Sequence, residues 1–407
     1  MVIAAELPPR RMGEREFVLL VAALMGTAAF SIDTMIPAFA AIREAFDLAP
    51  DSTQTSLTIT LFFFGNGMGF FLYGPLADSV GRKRVIHLSL GLYGLAALAA
   101  ALAPSLGVLY AARFVWGFAS AGPRILSQAI LRDRFEGTAL ARAMTLAMTV
   151  FYIVPIAAPI IGRGILEVGG WRWVFGSGSI LATLLIAWSL RMVETLTPAN
   201  RRPFRPGAIS QGFVAVVREP ITRWYGVSVA IGFGAFYSFL GSSELILSDV
   251  FERANWFVPF FVIASLLTSG VAFTANCALK RVRPRNWAIG AGVVFVAASI
   301  AMLVSALASD GRPDVWVFLV IYVAANASFS AVFPTANSIA LQPVGPLAGT
   351  AAAAMGATTS FVGAALAALI DRAVADSVTP VAIGYCVYAS AALATQLLGY
   401  RADAAAG

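Results

Sequence analysis

Charge is what this chain lacks most. Only 12% of its 407 residues are Asp, Glu, Lys or Arg, while 59% are hydrophobic; a soluble domain keeps roughly 25% charged. So little charge cannot cover a water-facing surface, which excludes an ordinary soluble enzyme or binding module. Histidine is represented by His87 alone, and the two cysteines, Cys277 and Cys386, each lie inside an apolar run. They read as small core residues rather than a disulfide or metal site, and one imidazole does not make a metal centre. The formal net charge is +7. Its basic residues fall between hydrophobic runs and are not interleaved with aromatics along a groove, so no nucleic-acid partner is expected.

What is there is a series of long apolar runs. A helix crossing a bilayer needs about 20 mostly apolar residues. Runs at 17–41, 53–75, 85–103, 106–130, 141–166, 172–193, 222–248, 255–279, 287–308, 315–340, 349–370 and 380–400 meet that need. The first follows Arg10, Arg11 and Arg15 and superficially resembles a secretion signal. It contains Asp33 and Pro37 and is far longer than the roughly 7–15 residues of a signal core, so it reads as a retained span. The expected fold class is an all-α polytopic membrane protein with twelve transmembrane helices.

Alternate loops carry the positive charge: Arg10, Arg11 and Arg15; Arg82, Lys83 and Arg84; Arg132, Arg134 and Arg142; Arg201, Arg202, Arg205 and Arg218; Lys280, Arg281, Arg283 and Arg285. The loops between them carry mainly Arg43, Arg172, Arg253, Arg312 and Arg372. The positive-inside rule then puts both termini in the cytoplasm. The longest polar segment, 194–220, divides the spans six and six, giving bundles 1–195 and 220–407 joined by a connector at 196–219. PRILSQAILRDRFEGTALARAM (123–144) lies without gaps over PTANSIALQPVGPLAGTAAAAM (334–355), pairing the fourth and fifth spans with the tenth and eleventh. Two pseudo-symmetric six-helix halves place a substrate site near midplane between them.

Four charges remain well inside spans: Asp33, Arg113, Arg124 and Glu244. Ionisable residues there are usually functional. At about 1.5 Å per residue, Asp33 and Arg113 lie roughly 12 and 10 Å below the same external face. Pairing would relieve the cost of burying each. Such a pair is either a static bridge between helices or a proton carrier, since burial opposes the carboxylate charge and the guanidinium supports it. Glu244 either reaches interfacial water or faces the cavity, where it would favour cations. Arg124 either snorkels to the interface or lines the cavity. Pro155 and Pro159 share one face of the fifth span and can bend it.

The turn GPLADSVGRKR, 74–84, resembles motif A of the major facilitator superfamily, with Gly74, Leu76, Asp78, Gly81, Arg82 and Lys83 in place and Ser79 where a basic residue is usual. IDTMIPA resembles the first helix of the drug/proton antiporter branch, especially the Bcr/CflA group, on Asp33 and Pro37. RFVWG, 113–117, resembles motif B, whose arginine falls on Arg113, and ILRD, 130–133, the Arg132–Asp133 pair ending the fourth helix. APIIG, 158–162, resembles the antiporter motif C on Pro159 and Gly162, with Pro155 shifted and Arg163 in place of a glycine. VETL, 193–196, matches the close of the sixth helix. The likeness is dense over about 30–200 and thin afterward.

This resemblance implies a proton-coupled antiporter exporting small, partly apolar compounds by alternating access. Asp33 and Arg113 would couple the proton, and Glu244 and Arg124 would line the cavity. Gly74, Asp78, Gly81, Arg82, Lys83 and Arg132 would gate it, and Pro155, Pro159 and Gly162 would form the antiporter helix. The expected partners are a small-molecule substrate, protons and the lipid bilayer of a bacterial inner membrane, with the chain monomeric and without a cofactor. The alternatives are proton-coupled uptake of a nutrient and, further off, a membrane sensor or enzyme.

Overall fold

The first membrane-crossing run is not one helix. α1 (Glu14–Asp33) stops at Asp33, a short tight turn follows at Ile36–Ala38, and α2 (Phe39–Ala45) resumes the span. The single rod predicted over 17–41 is corrected here, and Pro37 is the reason. Proline has no amide hydrogen for the carbonyl four residues back, here that of Asp33, and its ring crowds that carbonyl. The ladder gives way just ahead of it. Met35 donates its N–H to Ile32 (3.1 Å) instead of Ser31, and Ala38 donates to Met35 (2.8 Å). The Ser31 carbonyl is left open to another donor.

The computed structural model describes residues 12–404 apart from 198, 200, 202–205, 280, 345–346 and 375. Arg10, Arg11, Arg202, Arg205 and Lys280 of the charge pattern lie outside the described residues, as does the side chain of Cys277. The remaining helices are α3 (Leu57–Val80), α4 (Arg82–Ala101), α5 (Leu106–Arg134), α6 (Gly137–Gly169) and α7 (Trp171–Ser189), then α8 (Pro206–Arg218) within the connector. They continue as α9 (Pro220–Leu245), α10 (Phe257–Ala278), α11 (Pro284–Leu307), α12 (Val315–Leu341), α13 (Ala348–Asp371) and α14 (Thr379–Ala404).

With α1 and α2 taken as one span and α8 set aside, the described residues hold twelve long helical segments close to the twelve predicted runs. Ten of the described helices are long and apolar enough to cross a membrane. The two below that standard are α5, which carries Arg113, Arg124, Arg132, Asp133 and Arg134, and the short α7, which carries Arg172 and several Ser and Gly residues. The fold is an all-helical membrane bundle. α1–α7 pack mainly on one another and α9–α14 likewise, two groups called halves below, and between them α3 packs on α13 and α6 on α10.

The tightest crossing joins α3 to α5. A side chain on Gly65 would strike the Phe114 carbonyl, and one on Gly117 would strike the Phe62 carbonyl. Small residues let helix backbones touch in lipid, where no hydrophobic effect drives them together. Asn66 pins the same crossing, donating from Nδ2 to Ser120 Oγ (3.0 Å) and to the Gly117 carbonyl (3.3 Å). Gly117→Val is therefore expected to abolish a monodisperse folded species in size-exclusion chromatography, because a backbone carbonyl cannot swing aside. Gly91→Ala, on α4 with open space around it, is expected to keep or raise thermal stability, by up to about 1 kcal/mol.

Candidate functional site

Between the halves lies a cavity of about 820 Å³. Its walls come from α3 and α5 on one side and α9, α12 and α13 on the other, with Gln211 of α8 and Gly349 at its rim. Phe70, Phe71, Phe233, Tyr237 and Phe333 give it an apolar lining; Gln128, Asn337, Thr359 and Ser360 add hydrogen-bonding groups. Asp78, Arg82, Arg132 and Asp133 stand at the mouth, so the cavity opens on the face that carries the basic α3–α4 and α5–α6 turns. Arg124 lines the interior, so its stem does not snorkel to lipid.

The opposite face is shut. Phe63 stacks on Tyr237 across the interface with ring centroids 3.5 Å apart, and Phe64 meets Phe361 at 5.6 Å. Beyond that ceiling, Ser56 Oγ donates to the Gly241 carbonyl at 2.8 Å. Farther out, Arg43 of α2 donates through both Nη atoms to the two oxygens of Glu244 of α9, each at 3.0 Å. These residues are only 4% and 6% exposed, so the pair is a desolvated, two-point clamp between the halves. The placement of Glu244 in the substrate cavity is corrected. Its carboxylate is occupied by Arg43 and is not part of the cavity wall. Arg43 was missed because it looked like one more lone arginine in an external loop.

Asp33 and Arg113 are both buried, at 4% and 0% exposure, yet no hydrogen bond or ion pair joins them among the described residues. The expected bridge is absent in this conformation. Arg113 instead donates from Nη1 to the Ser31 carbonyl (3.1 Å), the acceptor freed by the break in α1, and from Nε to the Thr58 carbonyl (3.3 Å). Its guanidinium lies over Phe62 and Trp116, with centroids at 4.6 and 5.0 Å, and its Nη2 has no partner. Arg113 thus ties α1, α3 and α5 together. Asp33 sits inside the protein rather than against lipid, and it is not part of the cavity wall.

Gly162 explains why motif C belongs beside this acid. A side chain there would strike the backbone of Thr34, the residue following Asp33. α6 therefore presses directly on the break in α1, running unbroken through Pro155 and Pro159. A second buried acid, Asp371, was not singled out because its predicted span ended one residue earlier. It closes α13, accepts a hydrogen bond from Ser238 Oγ (2.8 Å), and packs against Gly241 so closely that a side chain there would collide.

The motif A turn is built within one half. Gly81 has φ +109°, a conformation that favours glycine. Gly74 lies inside α3, so the turn expected over 74–84 is corrected to a tight reversal at Gly81. The Glu194 carboxylate accepts from the backbone N–H groups of Arg82 (2.9 Å) and Lys83 (3.2 Å), a charge-matched cap on the first turn of α4. Arg82 bridges Asp78 (2.5 Å) and Asp133 (3.3 Å), and Lys83 Nζ donates to the Leu190 carbonyl (2.8 Å). Asp78 is thus held by its own motif while the mouth is open.

Removing one partner from a buried pair costs about 3–5 kcal/mol, so Glu244→Gln is expected to loosen the closed face. Spin labels placed by Asp51→Cys and Arg253→Cys, on exposed residues of the two halves at that face, report it by pulsed EPR once Cys277 and Cys386 are replaced by serine. The expected outcome is a shift toward longer distances in Glu244→Gln. An unchanged distribution would show that the aromatic ceiling and the Ser56–Gly241 hydrogen bond hold the face shut without the pair.

The chain is similar to the bicyclomycin resistance protein homolog of Haemophilus influenzae, at 27% identity over 92% of this chain and 94% of that protein. It is similar to the multidrug resistance protein MdtL of Escherichia coli at 26% identity, over 77% and 78% of the two chains. Its fold resembles that of a D-xylose-proton symporter, with a TM-score of 0.72 at 13% identity, covering 94% of this chain and 97% of the other. It also resembles an inward-open xylose transporter XylE from E. coli, with a TM-score of 0.71 at 13% identity over 95% and 96%. The Major Facilitator Superfamily model matches residues 18–368. With that match and two helical halves around one cavity, the chain belongs to the major facilitator superfamily, a family of membrane transporters rather than enzymes.

Proposed function

We propose that the protein is a proton-coupled antiporter that exports small, partly apolar compounds by alternating access. The observation that carries this reading is Asp33: an acid buried at the break in the first span, with no hydrogen-bond or ion-pair partner among the described residues, two residues beyond the Ser31 carbonyl that holds Arg113. The names of the drug-resistance relatives favour export, and the aromatic wall of the cavity suits partly apolar cargo. The positive-inside rule makes the open, basic face cytoplasmic, in a bacterial inner membrane. One chain holds both halves and the cavity, so a monomer suffices.

An unpaired carboxylate in this setting is costly, whereas the neutral acid is tolerated. The conformation closed by Arg43 and Glu244 therefore fits a protonated Asp33 that has carried its proton in from outside. Loss of that proton leaves a carboxylate seeking a donor, and the Nη2 of Arg113, without a partner among the described residues, belongs to the same α1–α3–α5 junction. Turning Arg113 toward Asp33 relaxes its hold on Ser31 and Thr58, and thus the angle of α1–α2, which bears Arg43. Coupling requires that proton and cargo favour different conformations; here the cargo favours the deprotonated one. Opening of the Arg43–Glu244 clamp then releases cargo outward, and reprotonation of Asp33 restores the closed face.

The test is proton movement in proteoliposomes on addition of a compound that raises the wild-type melting temperature, since a specific ligand stabilises the folded state. Protons are expected to move opposite to the compound, and Asp33→Asn is expected to abolish that movement while the compound still binds. Co-directional flux would replace export with uptake. Wild-type proton exchange in Asp33→Asn would remove the mechanism.

A further inference from the structure

One charge inside the cavity has no employment. Arg124 stands on α5 eight residues before Arg132, about 12 Å deeper at about 1.5 Å per residue, and both line the cavity. The acids of the wall, Asp78 and Asp133, are held at the mouth by Arg82. Glu244 is bound to Arg43 on the far side of the ceiling. Among the described residues, no carboxylate or other hydrogen-bond acceptor engages the Arg124 guanidinium. Its neighbours are the Phe70 ring, 5.8 Å from Cζ to centroid, and, from the other half, Tyr237, within range of its charge. Phe233, Phe333 and Ser360 line the same cavity.

We propose that Arg124 is an anion-receiving subsite, and that the preferred cargo has an aromatic or apolar body carrying one carboxylate or sulfonate. This rests on the cavity being the substrate site. The guanidinium offers a fork of N–H donors matched to such a group, and low-dielectric aromatic walls strengthen the attraction over its value in water. The ring faces take the apolar body, and Tyr237 lets the far half sense the same ligand, so binding the anion draws the halves together. A cationic compound meets the same guanidinium as repulsion. An anionic phospholipid headgroup carries related chemistry; the opening of the cavity on the basic, water-facing end favours a soluble anion.

Three probes that share a naphthyl body test this by isothermal titration calorimetry on the full chain in phosphatidylcholine nanodiscs: 2-naphthoate, 2-naphthamide and 2-naphthylmethylammonium. A charge-assisted hydrogen bond implies that naphthoate binds about tenfold tighter than the amide, with the ammonium weakest. Arg124→Gln is expected to lower naphthoate about tenfold, to the level of the wild-type amide, with an unchanged size-exclusion profile as the check on folding. Arg124→Lys is expected to keep part of the preference. Equal affinities in wild type, no naphthoate binding, or a preference that survives Arg124→Gln overturns the proposal. Phosphatidylglycerol in the nanodisc is expected to leave naphthoate affinity unchanged; competition by that lipid makes the headgroup the occupant and overturns it too. Asp33-dependent export of the ammonium probe would sink this inference and leave the efflux reading standing. Anion preference without transport would do the reverse.

Discussion

Pro37 has no amide hydrogen, and much of the charged architecture follows from that. The helical ladder of the first span yields ahead of it, Asp33 becomes the last residue of α1, and the carbonyl of Ser31 is released from its usual donor. Arg113 takes that carbonyl, which gives a fully buried guanidinium two backbone acceptors and two aromatic faces without using Asp33. Gly162 lets α6 press on the same break. The D-x-x-x-P spacing, the arginine of the fourth span and the glycine of the fifth are thus parts of one junction.

Burial decides what each remaining charge does. Arg43 and Glu244 are desolvated, bidentate and shared between the halves, so their separation is a large, discrete event suited to holding one conformation. The Arg82–Asp78–Asp133 group is more exposed and lies within one half; exposed pairs contribute roughly 0–1 kcal/mol each, so its effect is to fix the geometry of a turn rather than to latch the protein. Among the described residues Arg124 is neither paired nor withdrawn from the cavity, which leaves its charge to whatever enters.

The sequence revealed what depends on periodicity and local spacing. The apolar runs placed the helices, and the glycine and charge spacing of 74–84 marked a turn that the structure builds on Gly81. It did not reveal contacts made over long separation. Arg43 and Glu244 are some two hundred residues apart, and nothing local distinguishes this arginine from Arg253 or Arg312. Glu194 looked like the end of a helix and proves to cap another one. Depth along the helices suggested that Asp33 and Arg113 pair, but depth carries no information on rotamer, and a carbonyl freed by a proline takes the guanidinium instead. Asp371 escaped notice through a one-residue boundary, the kind of margin at which helix ends blur.

The central claim is that Asp33 holds a proton when the face clamped by Arg43 and Glu244 is closed and loses it when cargo binds. Infrared difference spectroscopy of the reconstituted protein, recorded on cargo addition, observes that proton directly through the carbonyl stretch of a protonated carboxyl group. The account predicts a band lost on cargo binding in wild type and missing from Asp33→Asn, with a carboxylate band rising in its place. A difference spectrum that is the same in Asp33→Asn, or that shows Asp33 as a carboxylate throughout, would contradict it.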